Sequence, residues 1–229
     1  MPKSLISRPV FWEPQGKIFS MASRISGLVL LILAPLAALA QAPAGDAKRG
    51  QALAYTCSGC HAIPNYKNVY PTYSVPKLRG QRPEYLVAAL KAYKSGERSH
   101  GTMHSHAASM SEQDMTDVAA YLAGPEVLTQ SKNDVPAALR PKASETCLAC
   151  HGTNGVGIIA DYPTLSGQHR DYIARALTDY KKGGRKNAIM AGMAATLTGE
   201  DIEQLAAYYA AQKPALKTVP KKNSFLSAN

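Results

Sequence analysis

The chain has only four cysteines in 229 residues, and all four fall in two short pairs, Cys57/Cys60 and Cys147/Cys150. None is left over for a thiolate ligand or nucleophile elsewhere. No stretch alternates apolar and polar residues as a half-buried strand would, and no βαβ pattern accompanies either pair, which argues against a thioredoxin-like redox site. The apolar run from Ile25 to Ala40 is 16 residues long and contains Pro35, short of the ~20 residues that span a bilayer. Basic residues outnumber acidic ones, 26 to 16, yet they are scattered rather than gathered in blocks. That spread, together with the export signal described below, excludes nucleic acid as a partner.

What is present is one pentad used twice: Cys57-Ser58-Gly59-Cys60-His61 and Cys147-Leu148-Ala149-Cys150-His151. C-x-x-C-H is the attachment signature of c-type haem. Two cysteines at this spacing reach the two vinyl groups of one porphyrin, and the adjacent histidine supplies an axial nitrogen to the iron. Pairs that share a zinc ion usually stand roughly 15–20 residues apart, whereas 86 residues separate Cys60 from Cys147. A disulfide within each pair would leave the repeated histidine unexplained. The cofactor expectation is two covalently bound haem c groups with iron.

The start of the chain reads as an export signal. Arg24 precedes the apolar run, which ends in Ala38-Leu39-Ala40 before Gln41, a basic n-region, an h-region and an A-x-A cleavage site. Residues 1–20 hold Pro9, Trp12 and Pro14 and do not read as an n-region, which points to Met21 as the translated start. Residues 1–40 are therefore expected to be a cleavable signal peptide, with a retained anchor as the alternative. The segment carries Lys3, Arg8, Lys17 and Arg24 against Glu13, so its removal takes the formal net charge from +10 to +7. A moderately basic periplasmic protein can dock on acidic partners or rest on an anionic membrane surface.

The rest is an internal duplication. A shift of 87 positions aligns residues 76–121 with 163–208 without a gap, with 18 of 46 positions identical. Pro76-Lys77-Leu78-Arg79-Gly80-Gln81 matches Pro163-Thr164-Leu165-Ser166-Gly167-Gln168, and Tyr85, Tyr93, Gly96, Arg98 and Met103 match Tyr172, Tyr180, Gly183, Arg185 and Met190. Each repeat reads as one haem-binding unit: residues 41–123 and 143–212, joined by a proline-bearing linker at 124–142 and followed by a tail at 213–229. The class is all-α. Asp46 is expected to cap a helix that runs into the first pentad, a second helix runs from about Pro83 to Ser95 and stops at Gly96, and a third opens at Ser111 with a capping-box-like start. Thr198 opens the matching helix of the second unit. The second unit's first helix is weak, because Pro141 breaks it and Arg140 stands where Gly50 stands in the first.

Each iron needs a second axial donor from later in the chain. Met103 and Met190 occupy the same repeat position, 42 and 39 residues after their histidines, in short Gly/Ala-rich segments expected to be loops between helices. Methionine sulfur is a soft neutral donor that raises the potential of the iron. In the first unit His100, His104 and His106 compete with Met103. Met110 and Met193 are weaker candidates, since the other repeat has no methionine at either position. The loop from Ala62 to Val75 holds Tyr66, Tyr70 and Tyr73, which could shield a haem edge. Arg98 and Arg185 read either as partners of haem propionates or as solvated arginines.

The order of these motifs resembles a class I cytochrome c domain, and two such domains after a signal peptide resemble the di-haem cytochrome c4 family, over about residues 45–212. The resemblance implies Met103 and Met190 as distal ligands. It implies carbonyls of Pro76 and Pro163 that orient the proximal histidines, Tyr121 and Tyr208 in a terminal helix that crosses the first, and haems close together at a pseudo-symmetric interface. Iron with two protein ligands has no open position for substrate, so the expected function is electron transfer without catalysis. The expected partners are a redox protein donor and acceptor: a quinol-oxidising complex or dehydrogenase on one side, a terminal oxidase on the other. The alternatives are the cytochrome subunit of a flavoprotein dehydrogenase, such as a sulfide-oxidising complex, and a haem enzyme with a labile ligand at the first haem.

Overall fold

In the computed structural model, residues 44–126, 128–130 and 135–221 are described. The expected signal peptide lies outside them. The described residues form nine α-helices in order: α1 Ala47–Leu53, α2 Tyr55–His61, α3 Pro83–Ser95, α4 Gly101–Ala108, α5 Glu112–Ala123, α6 Leu148–His151, α7 Arg170–Lys182, α8 Ala188–Ala195 and α9 Gly199–Ala211. Among the described residues the only β-type pairings are three isolated bridges, and no helix is long and apolar enough to cross a membrane.

Local chemistry accounts for most helix ends. Pro83 starts α3, where its missing N–H costs nothing, and Gly96 ends it at φ +80°; Gly183 ends α7 at the same angle. Ser111 caps α5 and Thr198 caps α9, each in a reciprocal capping box with the aspartate three residues on. The helix expected to run unbroken from Asp46 into the first pentad is interrupted at Ala54, which is fully buried.

In the first half α1 crosses α5 closely. A Cβ on Gly50 would collide with the backbone carbonyl of Asp117, so only glycine allows this approach. Asp117, 1% exposed, accepts from the Asp46 N–H at 2.8 Å and from Gln113 Nε2 at 2.8 Å, and it pairs with Arg49, which also pairs with Asp114. Among the described residues the second half shows no such crossing. Arg140 and Pro141 leave two short 3₁₀ turns, Ala137–Leu139 and Lys142–Ser144, in place of a helix.

The halves meet across a pseudo-two-fold axis. Gln81 donates Nε2 to the Thr164 carbonyl (3.0 Å) and accepts the Thr164 N–H (2.8 Å). Its repeat partner Gln168 does the same with Lys77, at 3.0 and 2.9 Å. Both amides are buried, so each pair of bonds is satisfied only in this register. The tail after α9 returns to the first half: Lys217 and Arg79 exchange backbone hydrogen bonds of 3.0 Å, and the Val219 N–H donates to the His61 carbonyl at 3.1 Å. Val219 is 1% exposed within the first half's core. Both halves and the tail thus form one compact unit.

Gly50→Ala should destabilise the protein by about 2 kcal/mol or more through backbone overpacking. Gly199→Ala, with open space around it, should stay within about 0.5 kcal/mol. Denaturant melts check both. The Ser111 hydroxyl and N–H and Arg49 hold Asp114 at a pKa of about 2, and Arg49 and the Asp46 N–H hold Asp117 below the ordinary carboxylate value. A depressed folded-state pKa stabilises above the unfolded value, about 3.9, and that stability is lost as pH falls toward 2. The thermal-stability gap between the parent and Asp117→Asn should therefore be constant above about pH 5 and narrow below 4. A gap independent of pH would remove the ionic contribution.

Candidate functional site

Each half encloses one cavity, about 1040 Å³ in the first and about 810 Å³ in the second when counted out to the open mouth. Both are on the scale of a cofactor site. The first collects Cys57, Cys60 and His61 from α2 with Met103 from α4. The second collects Cys147 and His151, at the start and end of the α6 turn, with Met190 from α8. Cys150 is half-buried beside the Tyr162 hydroxyl and does not line the cavity wall. The four cysteines serve two separate cavities, the opposite of a shared zinc site. Burial pushes the Cys57 and Cys147 thiols up, away from thiolate chemistry.

The two histidines are held alike. His61 Nδ1 lies 3.0 Å from the Pro76 carbonyl and His151 Nδ1 lies 2.9 Å from the Pro163 carbonyl. A carbonyl only accepts, so Nδ1 carries the proton and Nε2 presents its lone pair. Burial lowers both pKa values, outweighing the opposing effect of the carbonyl bond, and keeps the rings neutral as metal ligands require.

The methionines are not on loops. Each sits in the first turn of an eight-residue helix, because a side chain three residues earlier accepts its amide: His100 Nδ1 from the Met103 N–H (3.3 Å) and Asn187 Oδ1 from the Met190 N–H (3.0 Å). The capping satisfies an otherwise orphaned donor, and the alanine-rich sequence carries the helix on.

That geometry also sorts the competitors around Met103. His100 accepts at Nδ1, so its proton is on Nε2 and the neutral ring keeps no lone pair for iron. His104 donates Nδ1–H to the Tyr93 carbonyl at 2.8 Å, is exposed, and does not line the cavity. His106 and Met110 do line it. Met193 is 44% exposed and away from the second cavity. Of the loop tyrosines only Tyr73 reaches the first cavity, while Tyr70 is almost fully exposed.

The solvated reading of Arg98 and Arg185 is overturned. Both are 6% exposed, and each lines its own half's cavity. Tyr85 and Tyr172 were visible in the sequence only as a repeated tyrosine; both border both cavities. A buried arginine Nε at Arg98 without a partner, a neutral histidine of fixed tautomer, a thioether and paired thiols together fit an iron porphyrin bearing carboxylates.

Comparison with known proteins agrees. The family described as Cytochrome c matches residues 47–124, and the family described as Cytochrome C oxidase, cbb3-type, subunit III matches residues 136–208. The chain is 35% identical over 193 residues to cytochrome c4 of Pseudomonas aeruginosa, covering 78% of this chain and 94% of that one. It is 27% identical over 172 residues to a protein of Stutzerimonas stutzeri named thiosulfate dehydrogenase electron acceptor, covering 69% and 79%. The solved structure of reduced recombinant cytochrome c4 from Pseudomonas stutzeri superposes with a TM-score of 0.58 at 32% identity, covering 74% of this chain and all of that one. The chain belongs to the cytochrome c4 family: it is an electron-transfer cytochrome of two tandem cytochrome c domains with two covalent haem c groups.

Proposed function

We propose that the chain is an exported electron carrier in which His61 and Met103 complete the first iron and His151 and Met190 the second, with Cys57/Cys60 and Cys147/Cys150 forming the thioethers. The observation that carries this reading is the constellation repeated in each cavity: a buried imidazole tied by Nδ1–H to a proline carbonyl, with a methionine on a capped helix. Bound there, haem c supplies a one-electron iron couple. His61 with Met103, and His151 with Met190, would hold the iron, so that no coordination site would be left for a substrate. The proline carbonyls hold each imidazole against rotation and raise its basicity, and the soft methionine sulfur favours the reduced iron.

The apolar run Ile25–Ala40 and its A-x-A end support export to the periplasm, and the basic balance supports acidic or membrane-bound partners. A quinol-oxidising complex or dehydrogenase as donor and a terminal oxidase as acceptor fit a carrier of this kind. The relative named as an electron acceptor of thiosulfate dehydrogenase favours a dehydrogenase as donor. Stable co-purification with a flavin-bearing subunit would instead place the chain as that enzyme's cytochrome subunit.

Met103→Ala and Met190→Ala should each remove the methionine–ferric absorption band of one haem, about half of the parent's amplitude, and leave the other. Full amplitude in either variant would overturn that residue's assignment. The reduced parent should not bind carbon monoxide at neutral pH, whereas Met103→Ala should bind it at one haem. Binding by the parent would reinstate an enzyme with a labile first-haem ligand, supplied at that cavity by His106 or Met110.

A further inference from the structure

After α9 the chain crosses from the second half to the first and reaches the main chain of His61. It begins on the second half. Asn154 Nδ2 donates to the Lys213 carbonyl at 3.3 Å, the Ser166 hydroxyl donates to the Pro214 carbonyl, and the Leu216 N–H donates to the Ser166 carbonyl at 2.9 Å. Ala215 lies so close over Gly167 that a Cβ there would collide with it. Lys217 then exchanges backbone bonds with Arg79, its Nζ lies 3.1 Å from Glu126, and the Val219 N–H donates to the His61 carbonyl at 3.1 Å. Leu216 and Val219 are 2% and 1% exposed, so this is a buried strap rather than a loose end.

The carbonyl it reaches needs a donor. His61 is the last residue of α2, a helix of only seven residues, and the final carbonyls of a helix have no partner within it. So short a helix has little stability of its own. His61 is thus held at two points by two different segments: its ring by the Pro76 carbonyl and its main chain by Val219. The Val219 side chain belongs to the same buried cluster as Ala54 and Ala62, which flank α2. The second half is backed less firmly. There the linker takes the corresponding course, with Leu128 over Gly80 as Ala215 is over Gly167. What it brings to Gly152, next to His151, is the side chain of Gln130, an exposed residue that donates to the Val156 carbonyl.

We propose that Val219 is a positioning residue for the first iron: its N–H fixes the main chain of His61 and its side chain keeps water from the end of α2, so that a segment of the second half sets the reduction potential of the first haem. The proposal rests on the two-haem reading above, with His61 as a ligand. Val219 lines neither cavity and so acts through His61. Losing it frees the end of α2 and opens a dry wall to water. Water stabilises the more highly charged ferric iron, so the potential of the first haem falls. The second haem, whose histidine is backed by the linker, keeps its own.

The test is a redox titration of the holoprotein followed by NMR, with the signals of each haem assigned from Met103→Ala and Met190→Ala. A chain ending at Thr218 keeps the bonds to Ser166 and Arg79 but loses Val219. It should weaken the reduction equilibrium of the first haem about tenfold, or about 59 mV for one electron. Val219→Pro, which removes the N–H and keeps apolar bulk, should do nearly as much. Val219→Ala, which keeps the N–H, should shift the first haem about threefold, or about 28 mV. In all three the second haem should stay within about twofold of the parent, and a chain ending at Lys221 should match the parent at both haems. Equal shifts at both haems, or a lower melting temperature with both potentials unchanged, would reduce Val219 to a packing residue and overturn the proposal. If the shortened chain and Val219→Pro do not mature with two haems, Val219→Ala decides on the same criterion. A haemochrome assay that counts fewer than two haems in the parent would sink the two-haem reading itself, a different failure.

Discussion

Both sites depend on the bond from a buried imidazole to a proline carbonyl, and that carbonyl belongs to a six-residue segment that does more than hold a histidine. The Pro76 carbonyl accepts from His61 Nδ1–H, the Lys77 backbone pairs with Gln168, the Arg79 backbone pairs with Lys217, the Gly80 N–H reaches the Ala123 carbonyl at 2.8 Å, and Gln81 pairs with Thr164. The repeat from Pro163 to Gln168 does the same work from the other side, with Gly167 donating to the Tyr209 carbonyl at 2.9 Å and Ser166 accepting from Leu216 at 2.9 Å. One short stretch thus fixes the tautomer of a ligand, the end of the terminal helix and the register of the interface. Moving any one of these would strain the others, because each polar group in the stretch has a single geometry in which it is satisfied.

Repeated positions do not make equal sites. The first half keeps a glycine crossing of α1 and α5 that the second has lost to Arg140 and Pro141. Leu122 on the first cavity's wall becomes Tyr209 on the second, with a buried hydroxyl that lacks a partner. Thr102 and His106 at the first methionine's helix become Ile189 and Met193 at the second, 59% and 44% exposed. The two cavities therefore differ in polarity, volume and surface, and two irons with the same ligand types need not share a potential.

Much of the frame was legible because it rests on local chemistry. Pro83, Gly96, Ser111 and Thr198 state helix ends by sterics or by a side-chain bond to a nearby amide, and the structure places those ends where the residues say. The first methionine segment misled because its cap is unusual, a histidine accepting an amide at His100, whereas Asn187 before the second is an ordinary cap signal that the loop reading passed over. The break at Ala54 arises from packing, which no local pattern encodes. Long-range facts were also hidden. The tail reads as polar and proline-bearing, and only its meeting with Arg79 and the His61 carbonyl makes Val219 a core residue. Arg98 and Arg185 read either as propionate partners or as solvated charges until the duplication is folded into an interface, which buries both at once.

Several independent features press on the irons in the same direction. Under the proposed ligation a methionine sulfur would favour ferrous iron through softness, and burial keeps the imidazoles of His61 and His151 neutral, so neither ligand would add negative charge. The guanidinium pair adds positive charge to the same interior, where screening is weak. The Tyr172 phenol would oppose them if it ionised, yet at a pKa of about 8 it is mostly protonated at neutral pH. These features all favour the reduced state, so a carrier built this way would yield electrons only to an acceptor of still higher potential. Two carriers on a flexible tether would act independently. Two domains locked by reciprocal glutamines are held instead in one fixed separation and orientation, because each buried amide is satisfied only in that register.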